Sequence, residues 1–169
     1  MSKDYVKPEY SENLNNAIKS FGVIVHNFNI SQRDYTINLE LNKLTKKYYD
    51  LCPVLFFGEY AKLAYKPSFG RLPLKEVCCY KHPVIATDIK SALLLKECIC
   101  PPRKILYVWD LEWLYRTDYS FDIYSKIYHS FEIIVRSESH YNLFTKVWRK
   151  PNYLIEDFNH DKIRNVVLG

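Results

Sequence analysis

The segment Trp109-Asp110-Leu111-Glu112-Trp113 sets two carboxylates two residues apart between two indoles. In an extended chain, this spacing puts Asp110 and Glu112 on one face and both Trp side chains with Leu111 on the other. Paired carboxylates at a strand end can act as a general base, as metal ligands or as acceptors for sugar hydroxyls. Like charges this close also raise the pKa of one of them. The plainer alternative has the two Trp side chains filling the core while the acids pair with Arg116 or Lys104.

A second group is Arg136-Ser137-Glu138-Ser139-His140. Here a cation and two hydroxyls stand at the start of a helical pattern, where free backbone N–H groups favour an anion such as phosphate. The alternative is an ordinary capped helix with His140 on its exposed side. His26 directly follows a β-branched apolar run and is a candidate base or ligand contact; a structural hydrogen bond is the competing role. The five histidines form no HxxxH or HxH pair, so the sequence points to no metal site.

Composition narrows these options. The chain has 169 residues, which fits one domain over 1–169, with residues 1–10 as a polar lead-in. Its 48% hydrophobic and 16% aromatic content excludes a disordered chain. Only four glycines occur, at 22, 58, 70 and 169, and none are spaced for a glycine-built phosphate loop. The net charge of +5 permits an anionic partner, nucleic acid included, without demanding one. Five cysteines (Cys52, Cys78, Cys79, Cys98, Cys100) form neither C-x-x-C nor a disulfide framework, and read as buried free thiols in a reducing compartment. No apolar run reaches membrane-span length and no secretory leader stands out, so the expected location is cytoplasmic, the host cytoplasm for a viral chain. Fifteen tyrosines could stack bases or sugars, but their spacing follows the expected elements and reads first as packing.

Six short apolar runs alternate with helical patterns. The runs are FGVIVHNF, CPVLFFGEY, HPVIATD, KILYVWDLEW, EIIVRS and NYLIEDF. Helices are expected over Ser11 or Glu12 to Ser20, INLELNKLTKKYYD, LPLKEVCCYK, IKSALLLKEC, FDIYSKIYHS, ESHYNLFTKVWRK and HDKIRNVVL. NISQRDYT is expected as a loop. Continuous rather than alternating apolar runs suit a sheet covered on both faces. The expected fold is therefore α/β: a doubly wound, mostly parallel, six-stranded Rossmann-like sheet with helices on both faces.

In such sheets ligands bind beyond the carboxyl ends of the strands. The groups expected on that edge are His26, Asn27 and Asn29 after the first run, Glu59 after the second, and Thr87 and Asp88 after the third. Asp110 and Glu112 follow the fourth, Arg136 to His140 the fifth, and Glu156, Asp157 and Asn159 the sixth. Thr87 or Asp88, Ser137 and Asn159 are also natural helix caps.

PVIATD, ILYVWDLEW, IIVRSESHYNLF and YLIEDFN carry a resemblance. Over roughly residues 80–160 the chain resembles the amino-terminal, acceptor-side domain of GT-B glycosyltransferases, especially those encoded by tailed phages of the T-even-like group. The resemblance implies a Rossmann-like domain that holds an acceptor or nucleotide at the strand ends. It makes Asp110, Glu112 and His26 base candidates, and Asn27, Glu59, Thr87, Asp88, Arg136, Ser137 and His140 ligand contacts. GT-B enzymes have a second Rossmann-like domain that binds most of the sugar nucleotide, and this chain is expected to lack it. Either a partner chain supplies the donor half, or the fold serves binding alone. No cofactor is evident, and a nucleotide sugar is the ligand that the resemblance allows. The other class of function is a non-catalytic binding or assembly module that contacts a protein partner, a second copy or nucleic acid.

Overall fold

The computed structural model describes residues 19–27, 31–59 and 66–169, without the side chains of residues 26, 27 and 59. Among these residues, seven strands form one sheet: β1 (Lys19–Asn27), β2 (Leu51–Glu59), β3 (Gly70–Pro73), β4 (Val84–Ala86), β5 (Lys104–Val108), β6 (Glu132–Val135) and β7 (Tyr153–Leu154). Their order is β3-β2-β1-β4-β5-β6-β7, and every pairing is parallel. Five helices accompany them: α1 (Gln32–Lys47), α2 (Ile89–Glu97), α3 (Phe121–Ser130), α4 (Glu138–Val147) and α5 (His160–Leu168). This is the doubly wound, Rossmann-like α/β architecture that the alternation predicts.

Two apolar layers explain why the strands are apolar throughout. Phe21, Val23 and Val25 of β1 face one layer with Ile37, Leu41 and Leu44 of α1 and Ile163 and Val167 of α5. Ile24 of β1 faces the other, with Ile89, Ala92 and Leu95 of α2, Ile127 of α3 and Phe144 of α4. Neighbours on a strand thus serve opposite layers, and both need apolar side chains. Gly22 lies where β1 is flanked by β2 and β4. A Cβ there would sit 2.7 Å from Phe56 Cε2 and 3.1 Å from Val84 Cγ2, so the close approach accounts for the glycine.

Several boundaries differ from the sequence reading. The sheet has a seventh strand, β3, whose last two residues fall in the expected helix LPLKEVCCYK: Gly70–Pro73 pair with β2, and a 3-10 turn over Leu74–Cys79 takes up most of the rest. Four residues ending in proline carry no apolar run to read, and proline's missing N–H suits a border strand. Helix α1 begins inside the expected loop because Ser31 caps it, its hydroxyl accepting from the Asp34 N–H at 3.1 Å. The run NYLIEDF yields only two strand residues before a 3-10 turn at Glu156–Phe158. Lys19 and Ser20 belong to β1, whereas the rest of the expected helix before them lies outside the described residues.

The cysteines also differ. Only Cys98 is buried; Cys52, Cys78, Cys79 and Cys100 are exposed. Among the tyrosines, Tyr107, Tyr124 and Tyr128 are fully buried core residues, while Tyr49 and Tyr115 are exposed. No helix among the described residues is long and apolar enough to cross a membrane.

Candidate functional site

Parallel pairing brings the carboxyl ends of the strands to one edge. The chain leaves β1 toward β2 on one side and β4 toward β5 on the other, so the switch point lies between β1 and β4. The side chains of His26 and Asn27, at the end of β1, lie outside the described residues, as do those of Asn29 and Glu59.

Thr87 and Asp88 follow β4. The buried Thr87 hydroxyl donates to the Ile24 carbonyl at 2.8 Å, tying β4 to β1. Asp88 caps α2 by accepting from the Ser91 N–H at 2.7 Å, and the Ser91 hydroxyl accepts in return from the Asp88 N–H at 3.1 Å. Of the two, Asp88 is the expected helix cap, while Thr87 ties two strands together, a role the sequence did not suggest. Arg33 of α1 reaches over them, with Nη1 3.3 Å from Asp88 Oδ2 and Nε donating to Asp34 at 3.2 Å. Burial works against its charge, yet Asp88, Asp34 and Glu112 hold its pKa above the usual guanidinium value. Sequence reasoning missed Arg33 and Asp34, because neither follows an apolar run.

Asp110 and Glu112 do not share a face. The chain leaves the extended form after Val108 and turns through a 3-10 segment at Glu112–Leu114. Trp109 therefore packs in the α1/α5 layer, and Leu111 and Trp113 in the opposite one. Trp113 joins Tyr128, Phe144 and Trp148 in a cluster of edge-on aromatic rings. The segment crosses the sheet edge from one layer to the other, which separates its two acids.

Glu112 is buried. It accepts from the Ile89 N–H at the start of α2 at 3.2 Å and from Arg116 at 3.2 Å. Pairing with Arg116 is thus found for Glu112, while Lys104 instead donates to the Lys96 and Cys98 carbonyls. The Glu112 pKa is raised, first by burial and then by Asp88. A raised carboxylate is what the sequence suggests, but its neighbour is Asp88 rather than Asp110. Arg116 continues to Asp118 in a forked ion pair.

Asp110 is half-exposed and faces β6. Its carboxylate lies 3.8 Å from Arg136, whose guanidinium stands 5.3 Å over the Trp109 ring. Ser137 caps α4, accepting from the His140 N–H at 3.2 Å, and contacts the Ser139 hydroxyl at 3.0 Å. His140 lies one turn on. Burial and the Arg136 charge lower its pKa, with Asp110 acting in the opposite sense. Its Nδ1 is buried with no hydrogen-bond partner among the described residues. Asp110, Arg136, Ser137 and His140 therefore come together. The pKa of Tyr115 is raised, first by burial and then by the Asp110 and Glu112 charges.

A third group lies beyond β7. A cleft of about 200 Å³ is lined by Glu40, Glu156, Asp157, Asn159 and Lys162. Asp157 and Phe158 hold positive φ angles of 47° and 55°, a costly conformation for residues other than glycine. Buried Tyr107 holds this turn, its hydroxyl donating to the Ile155 carbonyl at 2.6 Å and accepting from the Phe158 N–H at 3.0 Å. Asn159 caps α5 as expected. Glu40 lies mid-helix in α1, so no strand-end rule could have pointed to it.

Among the described residues, no group of three or more His, Cys, Asp or Glu side chains is arranged to hold a metal ion. No protein-family model, no curated protein and no solved structure matches the chain. The functional reading therefore rests on the site itself.

Proposed function

We propose that this chain is a glycosyltransferase-like binding domain, related in plan to the acceptor-side half of the phage GT-B enzymes, that takes a hydroxyl-rich anionic ligand at the carboxyl ends of β5 and β6. The observation that supports this reading is the grouping of Asp110, Arg136 and His140, with the His140 Nδ1 still unpartnered. Arg136 and the α4 N-terminus suit a phosphate or another acidic group. Asp110 suits a sugar hydroxyl as acceptor, and His140, with its pKa lowered, is neutral near pH 7 and able to accept or donate.

Glycosyl transfer at this site needs a sugar-nucleotide donor, which GT-B enzymes bind chiefly on their second Rossmann-like domain. The acceptor hydroxyl would attack the anomeric carbon as its bond to the phosphate oxygen breaks. The nucleotide would leave with that electron pair, and Asp110 would take the hydroxyl proton. Glu112 is better suited to positioning the start of α2 than to proton transfer, because both its oxygens are engaged.

The test is a thermal-shift and calorimetric screen with UDP-glucose, free nucleotides, oligosaccharides and duplex DNA. Saturable binding of UDP-glucose or an oligosaccharide, weakened about tenfold or more by Arg136→Ala and Asp110→Asn, is the expected result. No binding of any sugar ligand would sink the reading. Binding of DNA alone, falling steeply with salt, would favour a nucleic-acid-binding module instead.

A further inference from the structure

The five cysteines, scattered in sequence, include one close pair at the edge opposite the candidate ligand site. Cys78 is the penultimate residue of the 3-10 segment Leu74–Cys79 between β3 and β4, and Cys98 follows the last turn of α2. Their Sγ atoms are 2.6 Å apart, although twenty residues separate them along the chain. Cys78 is exposed and Cys98 is buried. We propose that Cys78 and Cys98 form a redox-modification site, a dithiol that a small-molecule disulfide such as oxidised glutathione converts to an intramolecular disulfide.

The asymmetry of the pair sets the order of events. The accessible Cys78 thiolate attacks one sulfur of oxidised glutathione, forming a mixed disulfide and releasing one glutathione thiolate, which takes up a proton. Cys98 then loses its proton to solvent and attacks the Cys78 sulfur, expelling the second glutathione. Two cysteine thiols are oxidised and one glutathione disulfide is reduced to two thiols. Burial, then the neighbouring Cys78, push the Cys98 thiol up to about 12, which suits it to the second, intramolecular step rather than to first attack. The Lys104 ammonium, held 2.5 Å from the Cys98 carbonyl oxygen and 2.9 Å from that of Lys96, places a positive charge where the second thiolate forms. The bond ties the β3–β4 crossover to the end of α2.

The test incubates the reduced full-length chain in glutathione buffers of rising oxidised fraction, then alkylates, weighs and maps it. Wild type is expected to fall from five alkylatable thiols to three, lighter by two hydrogen atoms before alkylation, with one peptide pair joined through Cys78 and Cys98. Cys79→Ser and Cys100→Ser should cross-link as wild type does. Cys78→Ser, an exposed position that spares the fold, should form no internal bond at the same potential. Retention of all five thiols, mixed disulfides only, or an internal bond through Cys79 or Cys100 would overturn the assignment.

Discussion

One oxygen of the Glu40 carboxylate accepts both from the backbone N–H of His160, at 3.1 Å, and from its ring Nδ1, at 2.7 Å. A carboxylate can only accept, so the Nδ1 carries the proton. The other oxygen takes Lys43 Nζ at 2.6 Å. Helix α1 thus binds the start of α5, and the His160 ring is fixed against Glu40, which lines the cleft. Burial alone would raise the Glu40 pKa, but the hydrogen bonds from Lys43 and His160 outweigh it and leave it lowered.

Replacing Glu40 with Gln should therefore lower stability by about 1–3 kcal/mol at pH 7. A depressed carboxylate contributes fully above its ordinary pKa and loses that contribution as pH falls through the folded value. The gap between wild type and Glu40→Gln should close on acidification below about pH 4. Urea unfolding at a series of pH values reads this directly, and a gap independent of pH would contradict it.

Glu112 should show the opposite trend. Its pKa is raised in the folded state, so its stabilising contribution is complete below the ordinary carboxylate value and declines as pH rises through the folded one. The facing groups are Asp88, Arg33, Arg116 and the Ile89 N–H. Relative to wild type, Glu112→Gln should gain stability as pH rises above the ordinary carboxylate range of about 4. The same unfolding series decides the matter; a constant difference would count against the raised pKa.

Tyr107→Phe removes one hydroxyl and leaves two buried backbone groups, the Ile155 carbonyl and the Phe158 N–H, without their described partner. A loss of about 1–3 kcal/mol is expected, with faster amide exchange at Phe158 and its neighbours. Unchanged exchange there would show that the turn at Asp157 and Phe158 does not depend on this hydroxyl.

Gly22→Ala places a methyl group against Phe56 and Val84, both fully buried. Overpacking of this kind costs about 1–3 kcal/mol. Gly70→Ala is the matched comparison, because the nearest atom to its added Cβ is Val54 Cγ2 at 3.2 Å, on a border strand. The first variant should melt lower than the second; equal melting temperatures would place the constraint elsewhere.

The doubly wound plan is legible in the chain because it rests on long apolar runs and on residues that stop helices. Strand β3 is not, since Gly70–Pro73 contains one buriable side chain, Leu72, and leaves it exposed. Asp110, Arg136, Ser137 and His140 stand out because each comes just after an apolar run, a position that depends only on parallel strand order. That position misleads for Glu112, because a 3-10 turn breaks the alternation that would pair it with Asp110. Arg33 and Glu40 lie inside α1 and reach the edge only through the packing of that helix on the sheet. The Cys78–Cys98 contact is likewise tertiary, made where a crossover passes a helix end.

The two borders of the sheet are both stubs. On one side β3 offers four residues and ends at Pro73; on the other β7 offers two. Such short borders are poor templates for an added strand, whether from a second copy or from another protein. Among the described residues, a partner chain has only the helical faces and the ends of the strands to grip. A partner protein would therefore meet the described residues across the edge where Asp110 and Arg136 stand or over a helical layer, and sheet-to-sheet growth into fibres is disfavoured by the same geometry.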